Sequence, residues 1–136
     1  MNKTIINPPS LAKPSGFSHG IAVEGGRTLY LAGQPGLNTM GKVVSPGDLV
    51  AQFAQALANI KTIVEAAGGA LTDIVKMTLY VIDKEDYKVK LKPIGEAYRA
   101  HFGRYYPATT LVEVRRLFDD DALVEIDCVA VIPLTG

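Results

Sequence analysis

The 136-residue sequence contains one cysteine and two histidines, and its fourteen basic and fourteen acidic side chains cancel. Each of these scarcities removes a class of function. Cys128 cannot form an internal disulfide by itself. Cys128, His19 and His101 lie far apart in the chain and fall short of the three or four ligands that zinc requires, so no metal site is expected. A neutral chain has no summed field to attract phosphate backbones or anionic lipid, which makes nucleic acid a poor candidate partner. No apolar run approaches the roughly 18 residues of a spanning helix, so a membrane is not expected to be a partner either. Met1–Ser10 lacks the basic stretch and apolar core of a secretion signal, and the cytoplasm is the expected compartment. GxxxxGK[ST], GxGxxG and GxSxG are all absent, which excludes the common phosphate cradles and the serine nucleophile elbow.

The apolar fraction is 48%, the charged fraction 21% and the mean hydropathy +0.17. A chain of this length predicts one domain over residues 1–136, with apolar surface left over for burial between subunits.

Lys3–Ile6 reads as a short strand stopped by Pro8 and Pro9. Ser18–Glu24 reads as a second, leading through Gly25-Gly26 into Thr28–Leu31 as a meander. Gln34–Gly47, rich in Gly, Pro, Asn and Ser, reads as a loop. After Asp48, the residues Leu49, Val50, Phe53, Ala54, Leu57, Ile60, Val64 and Ala67 recur at three- and four-residue steps until Gly68-Gly69, predicting a helix with one apolar stripe. Asp73–Ile82 has strand composition, and Asp83 is placed to cap the next segment. Pro93 suits a first helical turn, so the second helix is expected over Pro93–Phe102 after a turn at Lys84–Tyr87, with Gly103 as its stop. Thr109–Val114 and Leu123–Ile132 complete the strands. The order predicts an α+β two-layer domain in which a mixed β-sheet carries two helices packed on one face.

Cys128 shares a strand face with Ile126 and Ala130, as a packed thiol would. His101 falls late in a helix, where its cation suits the dipole, whereas His19 admits either a structural or a polar site role. The cluster Lys84, Lys88, Lys90 and Lys92 is interrupted by Glu85 and Asp86 and reads as a solvated face. Glu125 and Asp127 alternate in phase along an otherwise apolar strand. A buried carboxylate there is costly unless paired, which makes the pair a functional candidate, with a wet edge strand as the alternative.

The phrases "LYLAGQPG", "ALANIKTIVEAAGGALTDIVKMTLYVID", "AYRAHF" and "YYPATTLVEV…VEIDCVAV" together resemble the RidA/YjgF family of reactive-intermediate deaminases over nearly the whole chain. The resemblance implies a chorismate-mutase-like fold, a homotrimer and small-molecule clefts at subunit boundaries. It also implies no metal or organic cofactor. In the deaminase members a strand glutamate, here Glu125, holds the attacking water, and an arginine after a Pro-Ala pair grips the substrate carboxylate. The arginine position is Thr109 here. A serine before Gly-Gln is replaced by Ala32 ahead of Gly33 and Gln34, a tyrosine by Phe17, and a helix asparagine by Gly95.

A bidentate arginine–carboxylate contact contributes about 1.5–3 kcal/mol, which Thr109 cannot supply. Ordinary 2-imino acids are therefore expected to be poor substrates, and the ligand to be neutral, cationic, or held through backbone N–H groups and Thr110. Two functions stay open: hydrolysis of an imine, enamine or related C–N bond by water on Glu125, with His19 as an optional second polar group, or non-catalytic binding of a metabolite or partner protein. Endoribonuclease activity ranks last, since no basic stripe, histidine pair or stacking platform is present.

Overall fold

The computed structural model describes residues 1–134. Strand β1 (Asn2–Ile6) pairs antiparallel with β2 (Gly20–Glu24) in a two-stranded sheet. A four-stranded sheet has the order β3-β6-β4-β5, formed by β3 (Arg27–Pro35), β4 (Ile74–Val81), β5 (Ala108–Glu113) and β6 (Val124–Ile132). β6 runs antiparallel to both β3 and β4, whereas β4 and β5 are parallel. Parallel neighbours need a crossover, and this one is made by α2 (Lys84–Val89) and α3 (Leu91–Phe102). Helix α1 (Leu49–Ala66) and a 3-10 turn at Leu71–Asp73 link β3 to β4.

The mixed α+β architecture is therefore as expected, with three corrections. Among the described residues there are three α-helices, because Asp83 accepts from the backbone N–H groups of both Glu85 and Asp86 and turns Lys84–Val89 into a capped helix of its own. The described strands form two sheets, with β2 paired to β1 and β3 paired to β6, so Gly25-Gly26 closes no hairpin. The loop expected from Gln34 starts later, since β3 resumes pairing at Gln34 and Pro35 after a bulge at Ala32-Gly33. Pro35 is tolerated because β3 is an edge strand of this sheet.

Strict alternation decides which sheet face carries the core. Val124, Ile126, Cys128, Ala130 and Ile132 of β6 are buried, as are Met77, Leu79 and Val81 of β4. They pack beneath Phe53, Leu57, Ile60 and Val64 of α1, which is capped by Asp48 Oδ1 accepting from Ala51 N at 3.0 Å. Burial pushes the Cys128 thiol up to about 12, in keeping with a packed rather than a reactive sulfur. The opposite face presents Lys76, Thr78, Tyr80, Glu125 and Asp127, all partly exposed.

Gln52 is a polar residue inside this core, fully buried on α1. Its Nε2 donates to the carbonyls of Ser45 and Asp121, both at 3.2 Å, and its Oε1 accepts from Leu123 N at 2.8 Å. One side chain thus ties the loops entering α1 and β6 together. Gln52→Leu strands a buried N–H and two carbonyls and is expected to cost about 2–4 kcal/mol. A fall in the urea midpoint at unchanged slope measures it.

Candidate active site

A cavity of about 600 Å³ opens where α2 and α3 cross the core face of β4 and β5. Phe17, Gly95 and Thr109, three of the residues singled out in the sequence, line it together. Phe17 is placed by its neighbour: Ser18 N donates to Pro107 O at 3.1 Å, and Ser18 Oγ donates to Tyr106 O at 2.6 Å. Thr109 Oγ1 donates to Pro107 O at 2.9 Å, so its hydroxyl is already engaged. Tyr98 and Tyr106 stack nearly parallel on the wall, with centroids 5.4 Å apart and planes 7° apart. Tyr98 OH donates to Tyr105 O at 2.5 Å, and burial pushes the Tyr98 phenol well above its ordinary range.

Arg99 is an addition to the residues expected on this wall. It lies one turn beyond Gly95 on α3, and a Cβ built on Gly95 would stand 3.0 Å from Arg99 Nη1. The absent side chain leaves the groove in which the guanidinium rests. This revises the expectation of a site without a cation: the strand position holds no arginine, but the cavity has one. The i, i+4 spacing of Gly95 and Arg99 was the available signal.

Glu125 sits elsewhere. Its side chain lies over the β3 bulge, where a Cβ on Gly33 would meet Glu125 Cδ at 2.9 Å and Oε2 at 3.0 Å. Glycine at this position leaves the space that the carboxyl occupies. Bulges commonly re-aim side chains beside active sites. Desolvation, followed by repulsion from Asp119 and Asp127, raises the Glu125 pKa above the usual carboxylate value. Nearby, Tyr80 OH donates to Asp127 Oδ2 at 3.1 Å, which raises the Tyr80 phenol.

The strand register separates these two groups. Thr109 aligns with Met77, which is on the core face, and Glu125 aligns with Tyr80, which is on the open face. Ala32, Gly33 and Gln34 accompany Glu125 at the bulge. Thr110 also faces the open side, where its Oγ1 is bound to Lys76 Nζ at 2.8 Å. The Thr110 side chain therefore points to the face opposite that of Thr109. His19 lines neither half: its N–H donates to Asn7 Oδ1 at 2.7 Å, its Nε2 is paired with Ala12 O at 2.7 Å, and its ring meets Phe17 edge-on. Its environment is that of a residue bracing the N-terminal loop.

The carboxylate cluster makes a pH prediction. If Glu125 works as a base it must be ionised, so its raised pKa places the acid limb of kcat/KM above the ordinary 4.5 of a glutamate. Asp119→Asn and Asp127→Asn each remove a like charge and are expected to move that limb to lower pH. A limb unmoved in both variants would show that another group controls it.

Among the described residues no three His, Cys, Asp or Glu side chains converge as a metal site, and no helix is long and apolar enough to cross a membrane. The family model described as Endoribonuclease L-PSP matches residues 9–132. A RutC family protein of Pyrococcus horikoshii is 37% identical over 128 residues, 94% of this chain and 97% of its own. The 2-iminobutanoate/2-iminopropanoate deaminase of Escherichia coli K12 is 36% identical over 134 residues, 96% of this chain and 98% of its own. A Rid family protein of unknown function from Yersinia pestis superposes with a TM-score of 0.86 at 34% identity, covering 97% of this chain and all of the other. The YjgF gene product of E. coli gives 0.66 at 37% identity, covering 92% and 93%. In sequence and in fold, the chain belongs to the RidA/YjgF family.

Proposed function

We propose that this chain assembles as a homotrimer and hydrolyses an imine or enamine in a cleft between subunits, with water held by Glu125. The observation that carries the proposal is the Glu125 carboxyl seated over Gly33, desolvated and raised in pKa on an otherwise open sheet face. Relatives named as deaminases of 2-iminobutanoate and 2-iminopropanoate support the reaction class.

Assembly is supported by the division of the site. Glu125 and Thr109 point to opposite faces of one sheet, so one ligand can meet both only where two chains abut. A closed ring with head-to-tail interfaces sets one subunit's cavity against the next subunit's Glu125. Tyr30 and Phe118, 77% and 96% exposed, are large apolar side chains that such an interface would cover.

The chemistry balances with water alone. Water oxygen adds to the imine carbon while Glu125 takes a water proton and passes it to the imine nitrogen, so the carbinolamine forms and the carboxylate is regenerated. Glu125 then assists proton transfer from the hydroxyl to the nitrogen, the C–N bond breaks, and a carbonyl compound and ammonia leave. An enamine enters the same sequence after protonation at carbon. Positioning supplies much of the acceleration, since two reactants become one complex.

The test generates imines in situ and intercepts them with semicarbazide. The protein is expected to lower the semicarbazone yield by hydrolysing the imine first. An unchanged yield across small and aromatic imines, with the protein verified as a trimer, would reject hydrolysis and leave a binding protein.

A further inference from the structure

We propose that Arg99, reaching from α3 across Gly95, binds the substrate carboxylate in this cleft, and that the substrate carries a bulky aromatic group beside that carboxylate. The proposal rests on the hydrolytic function above and names its substrate class.

Arg99 is the one charged residue among the described residues lining the cavity. Among the described residues its guanidinium makes no ion pair, as is true of every basic side chain except Lys61, Lys88 and Lys90, so it is available to a ligand. The close approach at Gly95 shapes its seat: a Cβ there would stand 3.0 Å from Arg99 Nη1, and the guanidinium would have to shift to make room. Thr109 does not compete for the carboxylate, because it is neutral and its hydroxyl is spent on Pro107 O. A guanidinium presents a planar fork suited to a carboxylate, and Arg99 is exposed, so its N–H groups are free to exchange water for that partner.

The remaining wall sets the other half of the specificity. Tyr98 stacks on both Phe102 and Tyr106, at 4.6 and 5.4 Å between centroids, and this aromatic stack borders the cavity with the Tyr98 hydroxyl already bound to Tyr105 O. Phe17 and Leu111 add further apolar surface. A ligand with only a methyl or ethyl group would leave most of this apolar and aromatic lining without a contact. An aromatic ring stacks on it in the offset or edge-on arrangements that such pairs prefer.

The experiment measures binding, so it does not depend on turnover. Phenylpyruvate, a stable 2-oxo acid of the expected product class, is titrated into the wild-type trimer and into Glu125→Gln, beside pyruvate and the neutral amide of phenylpyruvate. Phenylpyruvate is expected to bind at least about tenfold tighter than either comparison ligand, the scale of one charge-assisted hydrogen bond. Arg99→Gln, at an exposed position where folding is not at stake, is expected to remove the preference for acid over amide, and Arg99→Lys to restore part of it. Equal affinity for acid and amide in the wild type, or phenylpyruvate binding unaffected by Arg99→Gln, overturns the assignment of Arg99. Pyruvate binding as tightly as phenylpyruvate, or no phenylpyruvate binding at all, overturns the aromatic substrate class. Failure of hydrolysis with this pattern intact would reject only the catalytic proposal. Hydrolysis of other imines without this pattern would reject only the present one.

Discussion

Glu125→Gln is expected to lower imine hydrolysis by about 10²–10⁴-fold, the usual contribution of a positioned general base. Glutamine keeps the shape of the side chain over Gly33 but cannot take a proton from water. The loss should therefore fall on kcat, with ligand binding and assembly unchanged by titration and sedimentation. Gly33→Ala supplies a separate check on geometry. Gly33 has no left-handed backbone requirement, and the added methyl would meet the movable end of Glu125 rather than a backbone atom. The fold should tolerate it, while the displaced carboxyl lowers the rate by about 10–10²-fold. Full activity in Glu125→Gln would make this carboxylate a structural group and remove the proposed mechanism.

The parts of the fold that are legible in the sequence have local causes. Asp48 and Asp83 cap helices because a short carboxylate ahead of a helical run has free N–H groups to accept from. Cys128 is buried because its parity matches Ile126 and Ala130. The pairing partners are less accessible, since β1 with β2 and β3 with β6 are choices among strands of similar composition. Gln52 is hidden for a related reason. It departs from the apolar stripe of α1, and only the distant Asp121 and Leu123 reveal why an amide belongs there.

The site is legible residue by residue but not as an arrangement. Phe17, Gly95 and Thr109 do converge on one cavity, and Gly33 does meet Glu125. Strand parity then divides the two groups, because a period of two sends Thr109 and Thr110 to opposite faces. Thr110 accordingly belongs with Lys76, and His19 belongs to the N-terminal loop. Arg99 stays hidden as long as a guanidinium is sought only at the strand position of Thr109. A helix residue can fill the same cavity from another direction.

The division of the site leads to a subunit-complementation experiment. Let one variant carry Glu125→Gln and another carry Thr109→Phe, which fills the cavity without touching the open sheet face. In the proposed trimer, each single-variant assembly is expected to be nearly inactive, since every shared cleft would contain one defective half. In trimers reassembled from an equal mixture, a cleft is intact when its cavity comes from the Glu125→Gln chain and its carboxylate from the Thr109→Phe chain. Random assembly around a head-to-tail ring gives about one quarter of clefts in that state. Activity should therefore recover from near zero to about one quarter of wild type, and only after subunits have exchanged. A mixture that stays inactive despite verified exchange would mean that each cleft draws both halves from one chain. The strand register argues against that outcome, because Met77 and Tyr80 hold Thr109 and Glu125 on opposite sides of a single sheet.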